Sequence, residues 1–323
     1  MSLFSAGMNE TPSISVCITT YNHSQFIEQT LESVLNQQVN FPVEIIISDD
    51  CSKDSTKEIL SRYQLKYPGL VKTIFNEKNI GATKNTVKIL SQASGKYVAL
   101  LDGDDYWKKN HKLQKQYDFL ESNDDCVMCF HAVDIQTKEM KIIEHFLPVP
   151  KFRRNRSEMM DLINFDSFMA TSSIVFRNHI LTSFPSEYYA TRGINDWPLN
   201  VLLTEHGAIG YIDESMGVYR QASSINAFTF KPIEKILKNA IVLNKQFNRY
   251  FSFRYQEIFR KKISGYYMEL SKSYLRVGDV KKSRKYLECA NRYRLHLKRS
   301  IKLYGYYFPL ISMKNSIKNI FKL

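Results

Sequence analysis

The sequence predicts an α/β fold, a parallel sheet with helices on both faces, followed by a helical extension. Three observations carry this. Short β-branched runs alternate four times with amphipathic helical runs between residues 13 and 101, the pattern of parallel strands joined by helical crossovers. Each of the four runs ends in polar residues, as expected where right-handed crossovers bring the strand C-termini to one edge. From residue 229 onward the strand-like runs stop and long amphipathic stretches rich in Tyr, Leu, Ile, Lys and Arg take over.

The elements follow in order. Ser13 to Asn22, SISVCITTYN, is a short β-branched run that opens onto a polar loop, as a buried strand does. Phe26, Ile27, Leu31, Val34 and Leu35 then recur at helical spacing. Val43 to Asp50, VEIIISDD, gives a second buried strand with an acidic end. SKDSTKEILSRYQLKY supplies capping candidates and a second amphipathic helix, VKTIFN a third strand, and NIGATKNTVKILSQA a third helix. KYVALL is the fourth strand and runs into Leu100 to Tyr106, LLDGDDY. Beyond residue 125 the alternation lapses: CVMCFHAVDI and TSSIVFRN read as strands, Asn195 to Gly207 as a helix with an acidic start, and AIGYIDESMGVYR follows. YYMELSKSYLRVGDVKKSRKYLECANRY reads as a helical hairpin turning at Gly278. One hairpin is not a repeat array.

The bulk numbers set the class. The chain has 323 residues, of which 44% are hydrophobic, enough to bury a core in one large domain or two smaller ones. No run of about 18 apolar residues appears, and the start MSLFSAGMNETPS lacks a basic-then-apolar build, so neither a membrane span nor export is expected. Five scattered cysteines do not form a disulfide framework, which points to a reducing, cytoplasmic setting. Cys126 and Cys129 form a CxxC, but with no second pair they read as two buried thiols rather than a zinc or redox site. The net charge of +13 is uneven, because residues 231–323 hold 23 Lys/Arg against 5 Asp/Glu. The basicity therefore belongs to the tail and suits an anionic partner there.

The polar groups at the strand ends are Thr19, Tyr21 and Asn22, then Asp49 and Asp50, then Asn79 and Gly81, then Asp102, Asp104 and Asp105. Ligands of open α/β sheets bind along that edge. Neither G-x-G-x-x-G nor G-x-x-x-x-G-K-[ST] occurs, so a diphosphate bound there needs a metal instead of a glycine-rich cradle. Asp102 and Asp104 have D-x-D spacing, which suits Mg²⁺ or Mn²⁺ because hard cations prefer carboxylate oxygens and keep open positions for phosphate. A short acidic cluster also occurs in solvated turns; its position beside three other polar strand ends favours metal and diphosphate.

The ordered set SVCITTYN, IIISDDCSKDST, NIGATKN, YVALLDGDDYW and INDWPL resembles the family 2 glycosyltransferases. These are inverting enzymes of the GT-A fold that use nucleotide-diphosphate sugars. The resemblance runs from residue 13 to about 220 and implies a mixed, mostly parallel sheet with flanking helices and a helical C-terminal extension. It divides the chain into a leader over 1–12, a GT-A domain over 13–228 and a basic helical region over 229–323. By resemblance, Thr19, Tyr21 and Asp50 contact the nucleoside, with Tyr21 stacking on the base and Asp50 accepting from it, while Asp49 supports the loop. Lys84 and Asn85 line the nucleotide pocket and Asp102 meets the ribose. Asp104, with Asp105 assisting or holding the loop, takes a divalent cation, Mn²⁺ or Mg²⁺, and the diphosphate. Asp196 stands where the family places its catalytic base. Without the resemblance Asp196 reads equally as a helix N-terminal carboxylate stabilised by the dipole, and Trp197 reads as core rather than an acceptor platform.

Two departures from the family pattern stand out. Cys51 replaces a frequent Gly, which requires only a slightly different turn. After Val218, Tyr219 and Arg220, where many members place a metal-binding His, the chain has Gln221, Ser223 and Ser224, so Arg220 is expected to neutralise diphosphate directly. His206 lies on the helix of residues 195–207 and reads as structural. The expected partners are a nucleotide-diphosphate sugar, with UDP the family's commonest nucleotide, and a glycan or lipid-linked acceptor in surface-polysaccharide synthesis. An oligomer is left open. The basic tail reads as a solvated helical face or a peripheral contact with the inner membrane surface, IKLYGYYFPLISMKNSIKNIFKL suiting an interfacial helix. No recognition motif supports nucleic acid. The alternatives are a sugar nucleotidyltransferase, which TTYNHSQF does not support because it lacks a glycine-rich triphosphate loop, and a non-catalytic nucleotide-sugar-binding or scaffold protein.

Overall fold

Strand β1, Ile14–Thr20, is buried on both faces at almost every position, as its uninterrupted apolar and β-branched sequence requires of a central parallel strand. The computed structural model that places it describes residues 11–137, 139–190, 196–220 and 233–293. Helix α1, Ile27–Leu35, buries Ile27, Thr30, Leu31, Val34 and Leu35, one stripe at helical spacing. Strand β2, Val43–Asp49, helix α2, Thr56–Lys66, strand β3, Val71–Phe75, helix α3, Ala82–Leu90, and strand β4, Tyr97–Asp102, complete the four expected alternations. Ser55 precedes α2 without a side-chain cap; Asp54 does that work, Oδ1 accepting the Thr56 N–H at 3.1 Å.

The second half of this unit contains β5, Tyr106–Trp107, α4, Lys112–Glu121, β6, Cys126–Gln136, β7, Ile142–Leu147, β8, Arg156–Ser157, α5, Met159–Phe165, β9, Val175–Arg177, α6, Asp196–Leu203, and β10, Ala208–Arg220. In TSSIVFRN only the end is strand: Thr171–Ser173 winds as a 3₁₀ turn, with Ser173 Oγ donating to the Ala170 carbonyl at 2.7 Å. Such local bonds from Ser compete with strand pairing. Helix α6 is shorter than expected, ending at Leu203, and the exposed His206 falls in the turn beyond it. Asn195 lies outside the described residues. Cys126 and Cys129 are both buried free thiols.

The sheet runs β3-β2-β1-β4-β9-β6-β10-β5, with β7 beside β6 and β8 beside β10. Strands β2, β1 and β4 are parallel in register, Thr20 opposite Asp49 and Thr19 opposite Asp102, so their C-terminal ends reach one edge together. Strand β9 pairs antiparallel with both β4 and β6, while β10 lies parallel to β6, making the sheet mixed and mostly parallel. Strand β5 pairs antiparallel with the end of β10, Val218 opposite Tyr106. That pairing returns Tyr219 and Arg220 to the loop after β4.

The chain divides into two compact units, residues 1–227 and 228–323. The second is helical, with α7 at Ile233–Tyr250, α8 at Gln256–Arg276 and α9 at Val280–Tyr293. Ile241, Ile263 and Leu270 form one apolar cluster, and Met268, Leu287 and Ala290 another. Ser264 and Ser271 hydroxyls donate to the Ala290 and Ser283 carbonyls at 2.7 and 2.9 Å, which small side chains permit by letting α8 and α9 approach closely. The hairpin turns at Gly278, whose φ of 80° is left-handed. Gly278 N–H donates to Leu275 O and Asp279 N–H to Tyr274 O, at 3.0 and 2.9 Å, the paired bonds that close a helix at a C′ glycine. Among the described residues no helix is long and apolar enough to cross a membrane.

Candidate active site

The site is built on the edge where β1, β2 and β4 end. The loop after β1 turns at Asn22, whose φ is 57°, and is tied to the loop after β2. Asn22 N–H donates to Ser52 Oγ at 2.8 Å, and Ser24 N–H to Asp54 Oδ2 at 3.0 Å. Cys51 sits at φ 64°, a left-handed backbone that favours Gly, so the Cys carries its strain. Asp49 supports this loop, Oδ2 accepting the Ser52 N–H at 3.0 Å.

Asp50 is buried at 4% exposure. Its Oδ1 accepts the Ile80 N–H at 2.8 Å and Asn76 Nδ2 at 3.1 Å, and its Oδ2 accepts the Gly81 N–H at 2.8 Å. Asn85 is equally buried and engaged, donating to the Ser48 carbonyl at 3.0 Å and accepting from Ser48 Oγ at 2.6 Å. Both residues therefore form the wall that holds the start of α3. Tyr21, at 39% exposure, and the exposed Lys84 stand open at this edge.

The three carboxylates of LLDGDDY have three different environments. Asp102 accepts from Thr19 Oγ1 at 3.1 Å. Burial, then Asp104 and Asp196, push its carboxyl up to about 7, because like charges in a poorly solvated place favour the neutral form. Asp104 lies with Oδ2 3.7 Å from His23 Nε2, and the other ring nitrogen of His23 is 3.2 Å from Thr20 Oγ1. Asp105 points inward at 1% exposure; its Oδ1 accepts the Arg220 N–H at 2.9 Å, and burial with Asp104 and Asp102 raises its pKa well above the carboxylate range. Gly103 allows the packing: a Cβ there would stand 2.6 Å from Thr20 Oγ1. The loop is pinned from α1, where Thr30 Oγ1 donates to the Asp105 carbonyl at 2.7 Å.

Arg220, expected at a diphosphate, is buried beside the loop instead. Its guanidinium donates to Gln136 Oε1 at 3.0 Å, to the Asp104 carbonyl at 2.6 Å and to Gln29 Oε1. It also lies 4.6 Å from the Tyr106 ring centroid and 5.0 Å from that of Phe26. The fork is spent on the carboxylate loop, joining it to α1 and β6.

Asp196 opens α6, and burial raises its pKa. The Trp197 N–H, its own N–H and the Ser167 hydroxyl pull the other way, while Asp166 adds to the rise. Burial raises the pKa of the Tyr219 phenol, and Asp105, Asp102, Asp104 and Asp196 add to the rise. The carboxylates of LLDGDDY and of α6 thus all act electrostatically on one side chain. Trp197 is core, buried at 4% with Nε1 donating to the Leu162 carbonyl at 2.8 Å.

Two participants were not found from the sequence, His23 and Tyr219. Their only signal is position, in the loop after β1 and one residue before Arg220. Among the described residues no three His, Cys, Asp or Glu side chains form a preformed metal cage. The donor set at Asp104 is hard oxygen with one imidazole alongside, an incomplete shell of the kind that suits a cation sharing its coordination with a phosphate-bearing ligand. Gln221, Ser223 and Ser224 lie outside the described residues.

A family model described as glycosyl transferase family 2 matches residues 15–179, more than half of the chain. The chain belongs to glycosyl transferase family 2. TuaG of Bacillus subtilis, named for a glycosyltransferase of teichuronic acid biosynthesis, is 37% identical over 143 residues, covering 44% of this chain and 55% of that protein. The chain likewise spans only 58% of the length of the mycobacterial proteins it matches at 34% identity over 209 residues. Among solved structures, S. aureus TarS 1–349 in complex with UDP-GlcNAc superposes with a TM-score of 0.56 at 19% identity, covering 87% of this chain and 92% of that one. The mannosyltransferase PcManGT of Pyrobaculum calidifontis, in complex with GDP-Man and Mn²⁺, gives 0.54 at 14% identity, covering 98% and 90%. These likenesses establish the GT-A fold.

Proposed function

We propose that this family 2 glycosyltransferase moves a sugar from a nucleotide-diphosphate sugar, with UDP as the nucleotide, to a hydroxyl of a glycan or lipid-linked acceptor. The anomeric centre inverts, and the product enters a surface polysaccharide. The observation that carries the reading is the placement of Asp102 and Asp104 at the edge where β1, β2 and β4 end in register, with Asp196 opening α6 and held above its ordinary pKa by burial. A carboxylate so raised suits the base that accepts the acceptor hydroxyl's proton. The complexes of TarS with UDP-GlcNAc and of PcManGT with GDP-Man support a nucleotide-sugar donor, and the teichuronic acid biosynthesis for which TuaG is named supports a polysaccharide product.

The residues divide the work. Tyr21 offers an exposed ring for the base and Lys84 an exposed cation, while Asp50 and Asn85 shape the pocket wall behind them. Thr19 orients Asp102 toward the ribose. Asp104, with His23 beside it, holds a divalent cation, Mn²⁺ or Mg²⁺, which as a Lewis acid neutralises charge on the leaving diphosphate when bound; the Mn²⁺ in the PcManGT complex supports this. Asp105 and Arg220 fix the loop that presents Asp104. In this scheme residues 13–228 form the catalytic domain, and the excess of Lys/Arg in residues 231–323 supports contact with an anionic membrane surface.

Asp196→Asn tests the scheme. Turnover should fall about 10²–10⁴-fold while calorimetric affinity for UDP-sugar stays at the wild-type value. Undiminished turnover overturns the base assignment, and a wild-type protein that neither binds nor turns over any nucleotide sugar returns the chain to a scaffold role.

A further inference from the structure

The helical unit contains a feature that the transferase chemistry does not use. Two adjoining recesses of about 320 and 440 Å³ share Lys245, Arg260 and Tyr293 as lining; Arg249 is among the other residues of the first, and Tyr267 and Arg292 are among those of the second. Four cations and two tyrosines thus border one basic hollow formed by α7, α8 and α9. A volume in this range accepts a small ligand rather than a single water.

The cations are held but not neutralised. Arg260 donates from Nε to the Tyr293 carbonyl at 3.3 Å and from Nη2 to the Arg292 carbonyl at 3.4 Å, which leaves most of its five donors for other partners. Lys245 Nζ lies 3.4 Å from the Tyr267 hydroxyl, and 5.8 and 5.5 Å from the ring centroids of Tyr267 and Tyr293. Four of the unit's five carboxylates are engaged elsewhere: Glu234 pairs with Lys238, Glu269 with Lys272, Asp279 with Lys282 and Glu288 with Arg284. The fifth, Glu257, is exposed in the first turn of α8. Among the described residues, no carboxylate pairs with Lys245, Arg249, Arg260 or Arg292. Four like charges with no carboxylate paired to them among the described residues repel one another, and an anion in the hollow relieves that repulsion.

We propose that this hollow is a phosphate-binding site, built from Lys245, Arg249, Arg260 and Arg292, that takes a phosphate ester. Three of its four cations are arginines, whose planar forks match phosphate oxygens two at a time. The tyrosine walls add hydroxyl donors and apolar surface for the carbon part of an ester. The same chemistry serves a lipid headgroup or a soluble sugar phosphate.

The test uses the full chain in EDTA, so that cation-dependent binding at the transferase site is silent. Titration with inorganic phosphate by calorimetry should show saturable, salt-sensitive binding. Lys245→Gln/Arg249→Gln should weaken it at least tenfold, and circular dichroism checks that the variant is folded. Lys281→Gln/Lys285→Gln removes the same charge from exposed positions on α9 outside the hollow and should bind as wild type does. Equal weakening in both variants, or no binding by wild type, overturns the proposal. Sedimentation with phosphatidate vesicles, against phosphatidylcholine vesicles, then separates the sources. Pelleting that Lys245→Gln/Arg249→Gln abolishes assigns the hollow to a lipid headgroup, and phosphate binding without pelleting assigns it to a soluble ester.

Discussion

Replacing Gly103 by alanine tests how tightly the carboxylate loop is seated. The new Cβ would lie 2.6 Å from Thr20 Oγ1, 2.7 Å from Thr20 Cβ and 3.0 Å from His23 Nδ1. Carbon atoms settle at about 3.5–4.0 Å, so loop and strand must part by roughly 1 Å. Thr20 cannot yield. It is 3% exposed, stiff at χ1 because it is β-branched, and paired in register with Asp49 of β2. The loop moves instead and carries Asp102 and Asp104 with it. Overpacking of this kind costs about 1–3 kcal/mol of unfolding free energy, and a displacement of roughly 1 Å at the reacting groups costs about 10²-fold in rate. Urea unfolding followed by circular dichroism reads the first quantity, and initial rates at saturating donor read the second. A variant with the wild-type midpoint and wild-type turnover refutes the steric argument. A lowered midpoint with full turnover refutes the placement of Asp102 and Asp104 in the chemistry.

Arg220→Lys keeps the charge but loses the fork, so the urea midpoint should fall by an amount equivalent to about 1–3 kcal/mol; weaker donor binding at unchanged stability would instead put Arg220 on the diphosphate. Cys51→Gly relieves a left-handed φ at the expense of unfolded-state entropy, for a net gain of about 0.5–1 kcal/mol, and a lowered melting temperature contradicts that account. Asp102 supplies a pH dependence: its folded carboxyl binds a proton more tightly than the unfolded one, with the pKa raised from 3.8 to about 7. Its contribution is therefore greatest below the unfolded value and is lost as pH rises toward about 7. Asp102→Asn should flatten the stability profile across that window, and an unchanged slope rules out Asp102 as its source.

The four strands that carry the site were legible because their signal is local. A β-branched run such as SISVCITT says it is buried wherever it sits, and the D-x-D spacing is visible within LLDGDDY. The division of labour inside that cluster was not legible, for reasons of distance along the chain. Arg220 reaches Asp104, Gln136 and Gln29 across sequence separations of 116, 84 and 191 residues, and no local pattern encodes a partner that far away. An Arg following a strand reads as a free cation until β5 is seen to pair with the end of β10. Once that pairing is known, the charge problem of the cluster resolves unequally. Asp105 is turned inward against the Arg220 backbone, Asp102 leans on Thr19, and Asp104 stands beside His23, the carboxylate that the proposed scheme assigns to the cation. Three acids in four residues are tolerable because burial and mutual repulsion push two of them, Asp102 and Asp105, toward the neutral form. The fold also places a buried guanidinium behind the loop, where it steadies the backbone of Asp104 without occupying its carboxylate.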